Sequence, residues 1–257
     1  MPGDYLEFNK VTKSFGDVPV VRETSLQVAR NSFLVFVGPS GCGKTTLMRM
    51  VGGLETPSSG DIRLEGKPVG KPDRRRGMVF QSYSSFPWLS VAGNIAFGMR
   101  YRNDIDNAEK ARRVERYLKL VGLEDFADHY PNRISGGMRQ RVAIARTLAA
   151  GSDVLLMDEP FGALDALTRE RLQVELRLVH ARERKTIIFV THDVEEAVFL
   201  ADRIIVFSKR PAKVEADIDV TASLGSERSL DVRESEPFFR MRNDILHLIR
   251  KETGTDH

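Results

Sequence analysis

The chain has 257 residues, of which 41% are hydrophobic and 29% charged, and its formal net charge is +3. This composition is typical of a folded globular protein and excludes a disordered or collagen-like chain. The small net charge does not indicate a basic surface for nucleic acid, and the single cysteine, Cys42, excludes an intrachain disulfide. No apolar run approaches the roughly 18 residues of a membrane span, and we expect no secretory signal at the first residues.

The N-terminal part of the chain predicts a small antiparallel layer followed by a buried strand and a helix. Residues 5–11 and 62–68 have the patterns of short strands bounded by turns. Between them, residues 33–37 form a continuous apolar run, and residues 44–51 have helical spacing. A further strand is predicted at residues 77–80.

The strand pattern then disappears between about residue 82 and residue 150, where helical spacing replaces it. After this stretch, short apolar runs alternate with helical segments. The predicted strands are 154–157, 187–190 and 204–207, and the predicted helices are 167–179 and 193–201. This alternation predicts an α/β fold around a mostly parallel core sheet, with an inserted helical subdomain at about 82–150.

The last predicted element is an amphipathic helix that begins near residue 236. Its apolar side carries Phe238, Met241, Ile245 and Ile249. Packing against the body is the simpler interpretation of this side, and binding of a partner is the alternative. The predicted organisation is one domain over residues 5–235 and a C-terminal helix and tail over residues 236–257.

A glycine-rich segment between the strand at 33–37 and the helix at 44–51 has the pattern of a phosphate-binding loop. It consists of Gly38, Pro39, Ser40, Gly41, Cys42, Gly43, Lys44, Thr45 and Thr46. Glycines allow the backbone to aim N–H groups at an anion, which also lies at the positive end of the helix dipole. In this motif Lys44 reaches the β and γ phosphates of a nucleotide, and the Thr45 hydroxyl binds Mg²⁺. The alternative is a glycine-rich turn that binds nothing.

Two adjacent acidic residues, Asp158 and Glu159, end the predicted strand at 154–157. Ligands lie beyond the carboxyl ends of buried parallel strands, so these side chains are placed to face a bound nucleotide. Asp158 would hold the water shell of the metal, and Glu159 would orient and polarise an attacking water. The alternative is a pair of surface acids that cap the next element.

A third motif reads Ile134-Ser135-Gly136-Gly137-Met138-Arg139-Gln140-Arg141 and opens a helix that precedes Asp158. It resembles the signature motif of the ATP-binding cassette (ABC) ATPases, and the resemblance extends over about residues 5 to 210. Other motifs of that family follow the same order. They are Phe15 at the place of an adenine-stacking aromatic residue, Gln81 of the glutamine loop, Ala163-Leu164-Asp165 of the aspartate loop and His192 of the switch.

The resemblance implies an ATPase in which two ATP-binding domains face each other head to tail. Each ATP would lie between Lys44 of one copy and Ser135 of the other, and Gly136 and Gly137 would add backbone amides beside Ser135. The resemblance also implies that Glu159 aligns the water and that His192 bonds the γ phosphate. Gln81 would join Thr45 and Asp158 as a ligand of Mg²⁺. Phe15 and Asp165 complete the implied nucleotide site.

Residues 135–141, 87–91 and 94–98 are similar to the importer branch that serves nitrate, sulfonate and taurine. This resemblance implies an ATP-hydrolysing subunit on the cytoplasmic face of the membrane. Its implied partners are a second ATP-binding subunit, expected to be an identical copy, transmembrane permease subunits and, indirectly, an extracytoplasmic solute-binding protein, with no nucleic acid. Pro87, Trp88 and Leu89 are candidates for the surface that receives the permease. Burial of these residues within the helical subdomain is the equal alternative.

Three other functions stay open at this point. A soluble ABC ATPase that acts on nucleic acid or the ribosome has the same active site, but such proteins carry a coiled-coil insertion or two cassettes, which are not seen in this sequence. A metabolite kinase has the phosphate loop but does not need residues 135–137. An exporter cassette has the same hydrolytic residues, because these do not encode the direction of transport.

Overall fold

The computed structural model describes residues 5–80 and 85–253, which form two compact units. The first unit is drawn from the described parts of residues 1–73 and 177–257, and the second from those of residues 74–176. Within the described residues, no helix combines the length and the apolar character that crossing a bilayer requires. The domain boundaries proposed above, at residues 5–235 and 236–257, stay predictions.

Strands dominate the start of the chain, helices dominate its middle, and the two alternate in the part that follows. Residues 5–73 contain β1 (Leu6–Phe15), β2 (Val18–Val28), β3 (Phe33–Val37), α1 (Lys44–Val51), β4 (Ser59–Leu64) and β5 (Lys67–Pro68). The second unit contains β6 (Arg76–Val79), α2 (Val91–Phe97), α3 (Asn107–Val121), α4 (Gly136–Ala150), β7 (Val154–Asp158) and the beginning of α5 (Ala166–Glu183). The chain ends with β8 (Thr186–Val190), α6 (Val194–Leu200), β9 (Arg203–Phe207), β10 (Val214–Asp219), α7 (Thr221–Leu224) and α8 (Glu236–Thr253).

The first unit contains an antiparallel sheet with the strand order β2-β1-β4-β5. Leu6 of β1 lies opposite Val28 of β2 on one side and opposite Leu64 of β4 on the other. The strand predicted at residues 5–11 is confirmed as part of β1, whereas the segment predicted at 62–68 is divided by a turn at Glu65 and Gly66 between β4 and β5. β2 was not predicted. β2 is an edge strand with mixed polar and apolar residues, and Pro19 is tolerated there because an edge strand has backbone amides without ladder partners.

The core of the first unit is a parallel sheet in which β3 lies between β8 and β9. Every residue of β3 and β8 is buried, which explains their continuous apolar runs. The Phe36 ring packs on Phe207 at a centroid distance of 5.2 Å and on Phe8 of β1 at 6.5 Å, so the antiparallel layer contacts the core. β10 extends this sheet by antiparallel pairing with β9.

The second unit pairs β6 and β7 in parallel, and α4, which also contacts α2 and α3, packs on β6. The predicted helical stretch at 82–150 contains α2, α3 and α4, and no strand lies in its described part, residues 85–150. Ser90 caps α2 by accepting a hydrogen bond from the Gly93 amide at 3.1 Å, and Asp106 caps α3 by accepting one from Glu109 at 2.7 Å. The strand predicted at 77–80 was wrong by one residue, since β6 is Arg76–Val79.

The C-terminal helix α8 packs its predicted apolar side against the first unit. Phe238 and Ile245 are buried, whereas Phe239, on another side, is 43% exposed. Glu195 of α6 lies 3.8 Å from Arg242 of α8, which adds an ion pair to this contact. The packing interpretation of the helix is therefore confirmed for its two buried residues.

A buried ion cluster joins α5 to the start of β9. Asp202 accepts hydrogen bonds from Arg177 at 2.9 Å and from the Phe33 amide at 2.8 Å, and its other contact is His180 Nε2 at 3.2 Å. Burial raises the pKa of Asp202, but the hydrogen bonds of His180 and Arg177 outweigh burial and lower this pKa to about 2. The folded state therefore favours the ionised carboxylate more than the unfolded chain does.

We expect Asp202→Asn to destabilise the protein by about 3 kcal/mol at pH 7, because it leaves the buried Arg177 guanidinium without its countercharge. The folded pKa lies below the unfolded value, so the contribution of Asp202 is complete above about pH 4 and is lost as the pH falls towards 2. The difference between the variant and the wild type in urea unfolding should shrink over that interval. Asp217→Asn at an exposed ion pair is the control, and a pH-independent difference would contradict the assignment.

Candidate functional site

The glycine-rich loop between β3 and α1 has a backbone that admits no side chain at two positions. Gly38 has φ of +153°, and a Cβ there would lie 2.6 Å from the carbonyl oxygen of Phe207. Gly43 has φ of +127°, and a Cβ there would lie 2.9 Å from the carbonyl oxygen of Val20. Because these contacts are with backbone atoms, the loop keeps its shape only with glycine at both positions.

Lys44 lies inside this loop at the first residue of α1. The side chain is only 4% exposed, and Nζ donates hydrogen bonds to the carbonyl oxygens of Gly38 and Pro39, each at 2.8 Å. Cys42 is buried as well, and its Sγ lies 3.7 Å from Lys44 Nζ. A buried ammonium group, a bare backbone and the N-terminus of α1 together fit a phosphate group. Thr45 and Thr46 follow on the half-buried first turn of the helix.

Two other predicted residues of the first unit are exposed at the ends of strands. Phe15 ends β1 and is 46% exposed, with Lys13 Nζ 4.7 Å from the centroid of its ring. His192 follows β8 and is exposed. The turn that carries it is fixed by Thr191, whose Oγ1 accepts a hydrogen bond from the Asp193 amide at 3.0 Å. Both side chains are thus accessible to a ligand, as stacking and phosphate contact require.

In the second unit, β7 ends in the two predicted acids. Asp158 is the last residue of the strand and is 3% exposed, and Glu159 is half-buried. Glu159 has φ of +45°, in the left-handed region that residues other than glycine rarely adopt. Such a backbone costs about 1–3 kcal/mol and persists where surrounding contacts impose it, often at functional sites.

The signature segment forms the N-terminus of α4. Ser135 is exposed, and its Oγ caps the helix by accepting a hydrogen bond from the Met138 amide at 3.2 Å. A Cβ on Gly137 would lie 3.3 Å from the carbonyl oxygen of Ala163, so the absence of a side chain lets the aspartate loop pack on the helix. Gly136 and Gly137 are half-buried beside Ser135. This arrangement offers backbone amides and a hydroxyl at the positive end of a helix of 15 residues.

Asp165 caps α5 in the described structure. Its Oδ1 accepts a hydrogen bond from the Thr168 amide at 2.9 Å, and this backbone bond is the main cause that lowers the pKa of Asp165. The exposed carboxylate is therefore ionised and held in one orientation at neutral pH. Gln81, the remaining predicted residue, lies outside the described residues.

Each unit thus carries a separate set of the predicted residues. The first holds Phe15, the loop from Gly38 to Thr46, and His192, whereas the second holds Ser135, Gly136, Gly137, Asp158, Glu159 and Asp165. Sequence reasoning assigned no role to Gln140, which is buried and bonded to two segments of the second unit. No group of three or more His, Cys, Asp or Glu side chains within residues 5–80 and 85–253 is arranged to hold a metal ion.

Comparison with known proteins identifies the family. Residues 21–162 match the family described as ABC transporter. The chain belongs to the ABC transporter family. The prediction of an ABC ATP-binding subunit, made from the motif order, is confirmed, and so is its activity class as an ATPase.

Relatives of similar length belong to import systems. The nitrate import ATP-binding protein NrtD of Synechocystis is 41% identical over 96% of this chain and 95% of its own. The aliphatic sulfonates import ATP-binding protein SsuB of Bacillus cereus is 40% identical over 94% of each chain. The predicted resemblance to the nitrate and sulfonate branch of the ABC family is therefore confirmed.

A solved ABC structure confirms the fold class. The ATP-binding cassette MJ0796, described as a dimer in a post-hydrolysis state with bound ADP and phosphate, matches with a TM-score of 0.75 at 31% identity. The match covers 84% of this chain and 98% of MJ0796. The α/β fold predicted from alternating strands and helices is thus that of an ABC cassette.

Proposed function

We propose that this ABC ATPase energises the import of a small oxyanion or organic sulfonate through a membrane permease. The observation that carries the proposal is the exposed, serine-capped start of α4 at Ser135, a second candidate anion site in addition to the loop around Lys44. A phosphate loop alone serves many nucleotide-binding proteins, but a second such site fits an ATP held by two copies. The names of the nitrate and sulfonate import relatives support the cargo class.

In this proposal ATP is bound through its adenine and its phosphates. Phe15 stacks on the adenine, and the loop from Gly38 to Thr46 surrounds the phosphates with backbone amides and the Lys44 ammonium. His192, exposed after β8, bonds the γ phosphate. Asp165 at the start of α5 belongs to the same nucleotide site.

The donor set also fits Mg²⁺, which prefers oxygen ligands and binds through one or two carboxylates together with substrate phosphates. The Thr45 hydroxyl and the Asp158 carboxylate are such oxygens, and Gln81 would add a third. The ion, when bound, neutralises charge on the β and γ phosphates. Glu159 accepts the proton of the attacking water as this chain's general base.

The closed site requires a second copy of the chain in this proposal. Two copies face each other head to tail, as the dimeric state of MJ0796 supports. Ser135, Gly136 and Gly137 of one copy then contact the ATP bound to Lys44 of the other. Closure on ATP and opening after hydrolysis drive transport, because ATP shifts the equilibrium by its different affinity for the two states.

A surface patch of aromatic residues, defined as Phe86, Trp88, Phe97 and Tyr101, is the proposed docking surface for the permease, and Phe86 and Phe97 are half-buried within it. Trp88 is 69% exposed and Tyr101 76% exposed, which excludes burial of Trp88 within the helical subdomain. The Phe86 ring lies 5.5 Å from Trp88 and 4.4 Å from Phe97. The Arg100 guanidinium joins Tyr101 to the patch, because it lies 5.6 Å from the Phe97 ring and 5.7 Å from the Tyr101 ring. Exposed apolar patches of this kind mark protein interaction sites, and tryptophan is enriched among residues that dominate binding energy. Pro87 is exposed and Leu89 half-buried beside Trp88.

We expect the purified chain to bind membranes that contain its permease and not protein-free vesicles. Trp88→Ala should weaken this binding roughly 30-fold, since truncating a central aromatic contact costs about 2 kcal/mol. Flotation with reconstituted permease measures the affinity, and Tyr130→Ala, which removes an aromatic residue that is 47% exposed outside the patch, is the matched control. Equal binding to protein-free vesicles would contradict a peripheral subunit held by its permease, and equal weakening by both variants would contradict the patch.

Two alternative functions, action on nucleic acid and metabolite kinase activity, are less well supported than import. The relatives reported above are named as import ATP-binding proteins, and nothing in them supports action on nucleic acid. A metabolite kinase does not need the exposed helix start at Ser135. Phosphate release from ATP without an acceptor molecule would separate hydrolysis from kinase activity directly.

A further inference from the structure

Gln140 is a buried amide at the junction of three functional segments of the second unit. The residue is 2% exposed on α4, one turn beyond the signature glycines. Its Nε2 donates a hydrogen bond to the Glu159 carbonyl oxygen at 3.3 Å, and its Oε1 accepts one from the Ala163 amide at 3.3 Å. Only this orientation of the amide satisfies both partners, because one is an acceptor and the other a donor.

The first partner, Glu159, has the left-handed backbone described above. Its carbonyl oxygen accepts a second hydrogen bond from the Gly162 amide at 3.2 Å. The Gly162 bond is local and closes a turn, whereas the Gln140 bond comes from a separate helix. Gln140 thus ties the strained peptide of Glu159 to α4.

The second partner, Ala163, begins the aspartate loop, and this loop also packs on the signature segment. The Ala163 carbonyl oxygen lies 3.3 Å from the position that a Cβ on Gly137 would occupy. Ala163 therefore contacts α4 through both of its backbone polar groups, by hydrogen bonding at the amide and by close packing at the carbonyl. The start of α4, the aspartate loop and Glu159 form one connected assembly around Gln140.

We propose that Gln140 is a positioning residue for hydrolysis, which fixes the Glu159 backbone so that its carboxylate meets the attacking water. The inference rests on the proposed role of Glu159 as general base. Gln140 itself touches no phosphate in this scheme. Because α4 also carries Ser135, the same amide links the helix that contacts the ATP of a second copy to the base that serves the chain's own ATP. Loss of this link lowers kcat and leaves the KM for ATP unchanged.

Two variants of Gln140 test the proposal. Gln140→Met keeps the length of the side chain but removes both hydrogen bonds, so kcat should fall roughly 10- to 100-fold, as for a misplaced catalytic group. Gln140→Glu keeps the acceptor for Ala163, and only its protonated form can donate to the Glu159 carbonyl. Its kcat relative to wild type should therefore rise as the pH is lowered, whereas the ratio for Gln140→Met should not change with pH.

A control variant, thermal unfolding and nucleotide affinity separate a positioning role of Gln140 from a general loss of folding. The control Thr147→Val removes a buried hydroxyl from the same helix, where Thr147 bonds the Ala143 carbonyl at 2.9 Å, and it should retain wild-type kcat. Thermal unfolding and nucleotide affinity are measured for each variant, so that a general loss of folding is recognised as a fall in both. The charged groups within two residues of Gln140, Glu159 or Ala163 are the same in all variants; they are Arg139, Arg141, Asp158, Glu159 and Asp165.

Wild-type kcat in folded Gln140→Met, or a ratio for Gln140→Glu that does not depend on pH, would overturn the positioning role. A fall in kcat equal to that of Thr147→Val would do the same. If instead Glu159→Gln retained full turnover, the proposed function of Glu159 itself would fail, so the two failures are distinguishable.

Discussion

Glu159→Gln is expected to leave ATP binding intact while it slows hydrolysis by about two to four orders of magnitude. The amide matches the carboxylate in size and retains hydrogen bonding, but it cannot accept a proton from water. In the proposed function, nucleotide affinity resides mainly in the loop around Lys44, which belongs to the first unit, whereas Glu159 belongs to the second. Single-turnover phosphate release measures the chemical step, and equilibrium binding of a fluorescent nucleotide measures affinity.

The matched control is Glu124→Gln, which makes the same change at an exposed residue of the second unit. It should retain wild-type turnover and affinity. If Glu159→Gln hydrolysed ATP at the wild-type rate, Glu159 would not be the general base, and another group would have to accept the proton. A loss of nucleotide affinity in this variant would instead place Glu159 in binding.

The elements that sequence reasoning predicted well are those whose burial is uniform. The strand at 33–37 and the helix at 44–51 have the predicted bounds, because the strand is buried on both faces and the glycine loop marks where the helix begins. β2 and β10 lie at sheet edges and were missed. The residues of β10 alternate between half-buried and exposed, and its sequence alternates between apolar and acidic residues. This period of two indicates a half-buried strand, but it contains no continuous apolar run, which was the pattern used to predict the core strands.

In the candidate site, contiguous motifs could be identified from the sequence, whereas a residue whose surroundings come from distant segments could not. The phosphate loop and the Asp158-Glu159 pair follow from contiguous residues whose chemistry is specified by spacing. The role of Gln140 does not, because its burial depends on three segments that meet only in the folded chain. A polar residue on a helix is usually exposed. The sequence therefore placed Gln140 in the signature motif but did not indicate that it is buried. The exposure of Trp88 excludes its burial, which was one of two interpretations that the sequence left equal, and contact with a permease stays a proposal.

Complementation between two inactive variants is the second prediction with a large expected effect. Ser135→Arg places a bulky side chain at the exposed start of α4, and Lys44→Ala removes the ammonium from the phosphate loop, so each variant alone should lose hydrolysis almost completely. In a mixed dimer, Lys44 of the first variant meets Ser135 of the second, and one of the two shared sites is intact. Equimolar mixing should restore roughly one quarter of wild-type turnover, because about half of the dimers are mixed and each has one working site of two.

The control is a second mixture in which no dimer contains an intact shared site. Lys44→Ala mixed with the double variant Lys44→Ala, Ser135→Arg contains no Lys44 in any dimer, so it should stay inactive although subunits exchange as before. Recovery in the first mixture but not in the second would show that Lys44 of one chain and Ser135 of the other act on the same ATP. If neither mixture recovered activity while subunit exchange was demonstrated by fluorescence energy transfer, the shared site would be contradicted. Ser135 would then act within its own chain, or its helix start would serve only as a cap.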